Sequence, residues 1–286
     1  MVLIFYNSRK PLVRKILPGL RALLKKKGHR LRLIEARGLG KSSRHVRHEI
    51  HWPTDVRLAV SLGGDGTLLA AARQVVDDAI PLMGINLGGL GFLAAADQAD
   101  WSGALEMALD GRLPTQDRLV LSLRIERAEA LRSRHLAVND CVLRTEKSPR
   151  MLEIQIALER QGYLAHLRGD GLIVATPTGS TAYALAAGGP IVEPCINAYV
   201  LVPLAAHTLT QRPLLVGAHQ ALRLSLGPYH GEPGRAMVFV DGQITEEITS
   251  ADTVIIETYP KNLILLRSPK RGYFHLLREK LHWASY

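Results

Sequence analysis

The sequence is short of cysteine and of long apolar runs, and each shortage excludes a class of protein. Its two cysteines, Cys141 and Cys195, have no CxxC spacing and no neighbouring histidine. We therefore expect two core thiols, and neither a disulfide framework nor a zinc site. No run approaches the roughly 20 apolar residues that cross a bilayer, and the N-terminal apolar stretch precedes its basic residues, the reverse of a signal peptide. These features predict a cytoplasmic protein that does not act at a membrane.

Aromatic residues are also scarce, whereas positive charge is abundant. The formal net charge is +10 at pH 7, and aromatic residues make up 5% of the chain. This charge suits an anionic partner, but scattered basic residues and few stacking platforms argue against nucleic acid. The one run of three lysines, at 25–27, directly precedes Gly28 and is typical of the C-terminal end of a helix.

The first part of the chain alternates apolar strands with helical patterns. Strand-like runs lie at 2–6, 31–35, 57–61 and 80–86, and helical patterns lie at 11–27 and 67–76. Strand, helix and strand repeated in this order indicate βαβ units and a parallel sheet covered by helices. Pro18 and Gly19 are expected to kink or split the first helix.

The second part of the chain, from about Asp117, consists of short β-rich runs separated by polar or glycine-bearing turns. This pattern predicts mostly antiparallel strands, with one helix at 180–187. A linker-like segment at 112–117 marks the boundary. The sequence therefore predicts two domains, an α/β domain with a parallel sheet at 1–115 and a β-rich domain at 116–261.

The strongest local signal is LGGDGT at 62–67, between a predicted strand and a predicted helix. Glycines at such a turn let the backbone approach a phosphate, and the helix N-terminus adds its positive dipole end. A simple anion site has no use for a carboxylate, so Asp65 predicts chemistry, as the base for an attacking hydroxyl or as a partner for magnesium. The alternative is that Asp65 is only a helix N-cap in a tight glycine turn.

Three weaker patterns predict no chemistry of their own. Residues 40–42, GKS, end like a Walker A loop but lack its first glycine, and GGLG at 88–91 has the wrong spacing for a dinucleotide fingerprint. The glycines at 88–91 are instead expected to form a turn that brings backbone close to a ligand or to the next helix. His45, His48 and His51 are expected on a solvated helix face rather than around a metal.

A second strong signal is the stretch GDGLIVATPTGSTAY at 169–183. A predicted strand lies between two glycine-bearing turns, and the second turn carries four hydroxyls that suit a helix cap, a phosphate or a ribose. Tyr183 supplies a ring that could pack on a base. Taken alone, the segment would be interpreted as a turn and the N-cap of a short helix.

Together these motifs resemble the signature set of the NAD kinase family. GGDGT, the pair Asn139 and Asp140, and the block at 169–190 occur in the family's order, and INLGGLGFL at 85–93, PLAAHTLTQRPL at 203–214 and VDGQ at 240–243 are also similar. GGDGT alone is shared with diacylglycerol and sphingoid lipid kinases, whereas the long block is far more restrictive. The resemblance implies Mg²⁺-dependent transfer of the γ-phosphate of ATP to the 2′-hydroxyl of the adenosine ribose of NAD, which yields NADP.

The resemblance also implies the site residues. Asp65 would be the catalytic aspartate, with Gly64 and Gly66 giving the phosphates access. Asn139 and Asp140 would hold the adenine and ribose region of NAD. Asp170, preceded by Arg168, would lie near the nicotinamide half. The other dinucleotide-site residues that it implies are Arg150, Thr178, Thr181, Ala182, Tyr183, Ala184, Leu185, Ala186 and Gln243.

The resemblance extends to assembly and leaves three alternatives. It implies that 262–286 packs back on the first domain and that the protein is a homodimer or homotetramer. Departures from the family pattern, at Ala206 and at 184–186, put detailed hydrogen bonds in doubt rather than the reaction. The alternatives are a GGDGT-type lipid kinase, a non-catalytic NAD-binding regulator and a nucleic-acid-binding protein; an intact Asp65 disfavours the regulator.

Overall fold

The computed structural model describes residues 1–36, 38–39, 52–88, 91–145, 151–208, 210–228 and 234–283. Its described residues form two compact units, one from 1–39, 52–117 and 262–283 and the other from 118–261. Each unit has its own hydrophobic core. The patterns at residues 40–42 and at His45, His48 and His51 lie outside the described residues.

The first unit is built on a mainly parallel sheet with strand order β2-β1-β3-β4-β19-β6, and β5 pairs with β4. The central strands β3 and β4 are buried along their whole length, as expected for parallel strands covered by helices on both faces. Its elements are β1 (Val2–Tyr6), α1 (Pro11–Lys26), β2 (Leu31–Glu35), β3 (Leu58–Gly63), α2 (Asp65–Val75), β4 (Leu82–Asn86), β5 (Ala96–Asp97), α3 (Trp101–Leu109), β6 (Thr115–Arg118), β19 (Leu263–Leu266) and α5 (Tyr273–Leu281).

Helix α1 runs without interruption through Pro18, so of the two predicted outcomes, a kink or a split, the split is wrong. Apolar residues at helical spacing, Val13, Ile16, Leu20 and Leu24, are buried on both sides of the proline. Pro18 itself is exposed, so its ring and its missing N–H face away from the core. The packing of the buried face therefore outweighs the local cost of the proline. The helix ends where predicted, before Gly28, which has a φ of +74°.

The second unit contains two antiparallel sheets, with strand orders β11-β10-β15-β18-β7-β8 and β14-β13-β12-β9-β16-β17. Buried side chains from both sheets form one core, and strands such as β10 alternate buried and more exposed residues. Its elements are β7 (Leu121–Arg127), β8 (Ala130–Ala137), β9 (Asp140–Arg144), β10 (Leu152–Leu158), β11 (Gly162–Gly169), β12 (Gly171–Ala175), a 3₁₀ turn (Gly179–Thr181), α4 (Tyr183–Ala186), β13 (Ala198–Leu204), β14 (Leu214–Gly217), β15 (Leu222–Leu226), β16 (Arg235–Val240), β17 (Ile244–Thr249) and β18 (Asp252–Thr258).

The predicted fold class is confirmed, because an N-terminal α/β region with a parallel sheet is followed by an antiparallel β-rich region. One prediction about the cysteines is wrong. Cys141 is buried in β9, whereas Cys195 is exposed in the irregular segment between α4 and β13, where no strand or helix period constrains burial. Among the described residues, no helix is both long enough and apolar enough to span a membrane.

Candidate functional site

The GGDGT loop joins β3 to α2 in the first unit. Gly64 occupies the N-cap position and Asp65 is the first helical residue, so the alternative that Asp65 is the N-cap is wrong. A Cβ on Gly63 would lie 2.2 Å from Thr67 Oγ1, whereas a Cβ on Gly64 would meet no atom within 4 Å. The backbone beside Gly64 is therefore open, and Gly66 in the first turn of α2 is exposed. This is the arrangement that an anion needs at a helix N-terminus.

Asp65 is packed against the segment that follows β4. A Cβ on Gly91 would lie 2.3 Å from Asp65 Oδ1 and 2.9 Å from Asn86 Nδ2, so only glycine leaves both side chains in place. Asn86 ends β4 and pairs in register with Gly63 of β3. Its Oδ1 also accepts a hydrogen bond from the Gly88 N–H at 3.0 Å. The turn predicted at 88–91, close to a ligand or to the next helix, stays a prediction, since residues 89 and 90 lie outside the described residues; Gly91 itself lies against Asp65 and Asn86.

The electrostatic environment of Asp65 contains two opposing influences. Burial raises the pKa of its carboxyl, and the positive charge of Lys280 on α5 acts in the opposite direction. Lys280 Nζ lies 4.9 Å from the centre of the Phe92 ring, directly after Gly91. Arg267 Nη1 donates a hydrogen bond to the Phe92 carbonyl at 2.6 Å. Two cations from the last part of the chain thus contact the segment that packs on Asp65.

In the second unit, the structure brings Asn139 and Asp140 together with the segment 176–179. Thr176 donates from its N–H to the Asn139 carbonyl at 2.8 Å and from Oγ1 to the Val138 carbonyl at 2.6 Å. Gly179 approaches from the same segment, and a Cβ there would lie 2.0 Å from the Asn139 carbonyl oxygen. Two of the motifs quoted above, distant in sequence, therefore form one compact group.

Asp140 is the most strongly perturbed carboxyl of this group. Its side chain is buried, with 5% of the residue exposed. Burial and the negative charge of Asp241 together raise the pKa of Asp140 to about 7. Asp241 itself accepts hydrogen bonds from the backbone N–H groups of 138–140. Asp241 lies in the segment 240–243, from which the sequence pattern predicted only Gln243 as a site residue.

The hydroxyls of the second motif mainly build the loop. Thr176 Oγ1 accepts from the Gly179 N–H at 3.0 Å, and Ser180 Oγ donates to the Pro177 carbonyl at 2.6 Å. Thr181 Oγ1 donates to the Thr178 carbonyl at 3.2 Å. The Thr178 hydroxyl accepts a hydrogen bond from Arg118 Nη1 at 3.3 Å, and both residues are buried. Arg118 was not predicted, because nothing in the local sequence indicates that it would reach Thr178.

The remaining predicted residues of the second unit that the structure describes are exposed or half-buried, except for the buried Ala184. Within α4, Ala184 is buried and Tyr183 is 41% exposed. Leu185 and Ala186 belong to the same short helix, and Ala182 directly precedes it. Arg168 Nε pairs with Glu153 Oε1 at 3.2 Å. Asp170 is exposed, between the ends of β11 and β12, and Gln243 is half-buried before β17. Arg150 lies outside the described residues.

The structure therefore forms two groups of predicted residues, one in each unit. In the first unit, Gly64, Asp65 and Gly66 lie with Asn86 and Gly91. In the second unit, Asn139, Asp140 and Thr178 lie with Thr176 and Asp241. Asn86 could have been predicted from the sequence. Ligands bind at the carboxyl ends of parallel strands, and Asn86 ends the strand that pairs with the strand before GGDGT.

Comparisons with known proteins agree on one family. A model of the ATP-NAD kinase N-terminal domain matches residues 21–113, and one of the ATP-NAD kinase C-terminal domain matches residues 138–268. The NAD kinase of Solibacter usitatus is 38% identical over 273 residues, 95% of this chain and 93% of the relative. The NAD kinase of Aeromonas salmonicida is 36% identical over 272 residues, 94% of this chain and 92% of the relative.

Two solved structures share the fold. A crystal structure of yeast NADH kinase complexed with NADH has a TM-score of 0.86 at 22% identity, with 100% of this chain and 88% of that one covered. A structure of an NAD kinase from Archaeoglobus fulgidus in complex with ATP has a TM-score of 0.74 at 23% identity, with 99% of both chains covered. The relatives thus confirm the resemblance found in the sequence and give no support to the lipid-kinase alternative.

Proposed function

The chain belongs to the NAD kinase family, and on that premise we propose that Asp65 is the base in its reaction. The protein is an enzyme, a phosphotransferase that moves the γ-phosphate of ATP to the 2′-hydroxyl of the adenosine ribose of NAD and so forms NADP. The observation that carries the role of Asp65 is its place: it begins α2, directly beside the open backbone at Gly64.

Asp65 acts on a hydroxyl whose pKa lies far above neutrality. A carboxylate cannot remove that proton in advance, so it accepts the proton as the bond from the 2′-oxygen to phosphorus forms and the bond from phosphorus to ADP breaks. The base must be ionised to do this. Burial works against ionisation of Asp65, and the charge of Lys280 favours it. Most of the remaining rate comes from holding the two reacting groups in line.

Magnesium fits this site as a cation that arrives with the nucleotide. Within the described part of the chain, no three His, Cys, Asp or Glu side chains come together as a dedicated metal cage would require. Mg²⁺ typically binds substrate phosphates and only one or two carboxylates, so such a cage is not needed. When bound, the ion would neutralise charge on the β- and γ-phosphates. The open backbone N–H groups at the start of α2 would donate hydrogen bonds to the phosphates.

We assign recognition of NAD to the group in the second unit. The partly buried Asn139 and the buried Asp140 offer amide and carboxyl groups for the adenine and ribose, and the 176–179 segment holds their backbone. Thr178, Thr181, Tyr183 and α4 provide further dinucleotide contacts in this proposal, as do Asp170 and Arg168 on the nicotinamide side. A few charged and polar groups beside apolar side chains and a ring are typical of a small-molecule site.

Product formation tests this proposal. Purified protein is incubated with Mg-ATP and NAD, and the product is identified as NADP by an NADP-specific dehydrogenase. We expect NADP to accumulate, its formation to stop when EDTA removes the divalent cation, and diacylglycerol or sphingosine to remain unphosphorylated. Absence of NADP from NAD and of NADPH from NADH, with either ATP or polyphosphate as the donor, in protein shown to be folded by circular dichroism, would overturn it.

We also propose a cytoplasmic homodimer or homotetramer, as the family resemblance implies. Leu214 and Leu215 are each 45% exposed on β14, an edge strand of its sheet, and an exposed apolar edge suits a contact with a second copy. Light scattering after size exclusion should give the mass of two or four chains of 31.4 kDa. A monomer over the micromolar range would contradict this.

A further inference from the structure

Asp241 lies in the turn between β16 and β17, and the backbone of this turn is unusual. Asp241 and Gly242 have φ values of +48° and +63°, and the Gln243 N–H donates to the Val240 carbonyl at 2.9 Å. Positive φ at two successive residues is what the mirror-image hairpin turns require, and Asp-Gly is a favoured pair for them. The sequence VDGQ is thus explained as a hairpin turn that sets the position of the Asp241 side chain.

The carboxylate of Asp241 accepts hydrogen bonds from three consecutive backbone N–H groups. Its Oδ1 accepts from Asn139 at 2.8 Å, from Val138 at 3.1 Å and from Asp140 at 3.2 Å, and Oδ2 accepts from Val138 at 3.1 Å. In return, the Asp241 N–H donates to the Asp140 carbonyl at 2.9 Å. Successive N–H groups form an anion-binding concavity, and here the chain's own carboxylate fills it.

This contact holds the peptide that carries Asn139 and Asp140 from one side, while Thr176 and Gly179 hold it from another. The Thr176 hydroxyl and N–H engage the carbonyls of Val138 and Asn139, and Gly179 leaves no space at the Asn139 carbonyl. Bonds to an ionised acceptor are roughly twice as strong as neutral ones. The backbone direction from which the Asn139 and Asp140 side chains project therefore depends on Asp241.

We propose that Asp241 is a positioning residue for NAD: its carboxylate orients Asn139 and Asp140 for the dinucleotide by holding their backbone N–H groups. This inference rests on the proposed function, which assigns Asn139 and Asp140 to NAD binding. The charge of Asp241 adds a measurable signature, because burial and that charge raise the pKa of Asp140 to about 7. Removing the charge lowers the pKa of Asp140.

The variant Asp241→Asn isolates this role. Asparagine has the same shape and tolerates positive φ, so the turn keeps its conformation while the charge and one acceptor oxygen are lost. Asp252→Asn is the matched control in the same unit. The Asp252 carboxylate is also buried and accepts a backbone N–H, from Thr249 at 2.9 Å, but it pairs with Arg127 and Arg132.

Steady-state kinetics at equal folded concentration give the readout. We expect Asp241→Asn to raise the KM for NAD by at least about 10-fold, as expected for losing hydrogen bonds to a charged acceptor, with the KM for ATP nearly unchanged. The pH midpoint of the NAD KM should move to lower pH. Asp252→Asn should lower the Tm and leave the NAD KM within about 2-fold. If the NAD KM and its pH midpoint in Asp241→Asn match those of Asp252→Asn, the proposal is overturned.

A second pair of variants keeps the test decisive if Asp241→Asn fails to fold. Gly242→Ala strains the turn at a φ of +63° without touching the Asp241 charge, and Gly111→Ala introduces similar strain at a φ of +68° in the first unit. Neither added Cβ meets an atom within 4 Å. We expect the NAD KM to rise in Gly242→Ala only. Equal NAD KM values in the two variants contradict the proposal.

Failure of the proposed function would give a different result. If Asn139→Ala and Asp140→Asn also leave the NAD KM unchanged, the assignment of NAD to this group is wrong. If those two variants raise the NAD KM and Asp241→Asn does not, the binding assignment stands and only the positioning role of Asp241 is lost.

Discussion

Two carboxyl groups, one in each unit, are withdrawn from solvent to different degrees and have neighbours of opposite charge. Asp65 in the first unit is partly buried and is acted on by a cation, Lys280. Asp140 in the second unit is buried beside another carboxylate, Asp241. Burial raises the pKa of both, but the neighbour opposes the effect at Asp65 and adds to it at Asp140. The environment of Asp65 suits a group that must be ionised to accept a proton. The environment of Asp140 suits a group that titrates near neutrality and binds hydroxyls.

The largest effect is expected when Asp65 and Asp140 are substituted separately and the kinetics of the two variants are compared. Asp65→Asn removes the base, so kcat should fall by about 10² to 10⁴-fold with NAD still bound. Asp140→Asn should mainly raise the KM for NAD, with kcat at saturating NAD much less affected. Initial rates over a range of NAD concentrations, with calorimetry of NAD binding, measure both. Equal losses of kcat in the two variants would remove the distinction.

A smaller effect is expected from a variant that displaces the Asp65 carboxylate without substituting Asp65 itself. In Gly91→Ala the new Cβ would lie 2.3 Å from Asp65 Oδ1, so the carboxylate must shift. Misplacement of a catalytic group by about 1 Å typically costs on the order of 100-fold in rate. Gly103→Ala in α3 is the control, since its Cβ meets no atom within 4 Å. Comparable activity in the two variants would show that the contact between Gly91 and Asp65 does not matter.

Removing the cation near Asp65 should have a pH-dependent effect. Because the charge of Lys280 lowers the pKa of Asp65, Lys280→Gln raises that pKa and moves the acidic fall of kcat to higher pH. We expect roughly a 3- to 10-fold loss of kcat on the acidic side of the profile and little loss at pH 8.5. Arg278→Gln, an exposed cation of the same helix, should leave the profile in place. Superimposable profiles for the two variants would rule out a role for Lys280.

A separate effect concerns the stability of the second unit and its dependence on pH. The pKa of Asp140 is raised in the folded protein, from 3.8 to about 7, so ionisation opposes folding increasingly as pH rises through this interval. At about 1.4 kcal/mol per pKa unit, Asp140→Asn should increase the free energy of unfolding at pH 8 by on the order of 4 kcal/mol, and by less at pH 5. Urea unfolding at both pH values measures this. A variant that is less stable at pH 8 would contradict the environment described for Asp140.

Local patterns in the sequence predicted much of the fold and part of the site. Apolar runs and helical periods placed β1, α1, β3 and α2 correctly, because burial on a strand or a helix leaves a repeat that can be counted. GGDGT was recognisable because its glycines and its position between strand and helix have a physical meaning on their own. Of the kink or split predicted for α1 at Pro18, the split was wrong, because the packing of the buried helix face outweighed a local preference.

The parts that were missed depend on contacts between residues distant in sequence. Lys280 reaches the segment next to Asp65 from more than 200 residues further along the chain, and Asp241 holds 138–140 across about 100 residues. No periodicity or spacing encodes such pairs. The hydroxyls of Thr176 and Ser180 donate to the backbone carbonyls of Val138 and Pro177, because a buried hydroxyl requires a partner, and the sequence pattern did not indicate these two acceptors.

The most direct test of the division between Asp65 and Asp140 is the pH dependence of kcat and of the NAD KM, measured separately from pH 5 to 9 in the intact protein and in Asp140→Asn. We predict that kcat falls at acidic pH in both proteins, as Asp65 becomes protonated. The NAD KM of the intact protein should decrease as pH rises through about 7 and Asp140 ionises, and this change should be absent from the variant. If kcat no longer falls at acidic pH in Asp140→Asn, then Asp140 and not Asp65 is the base.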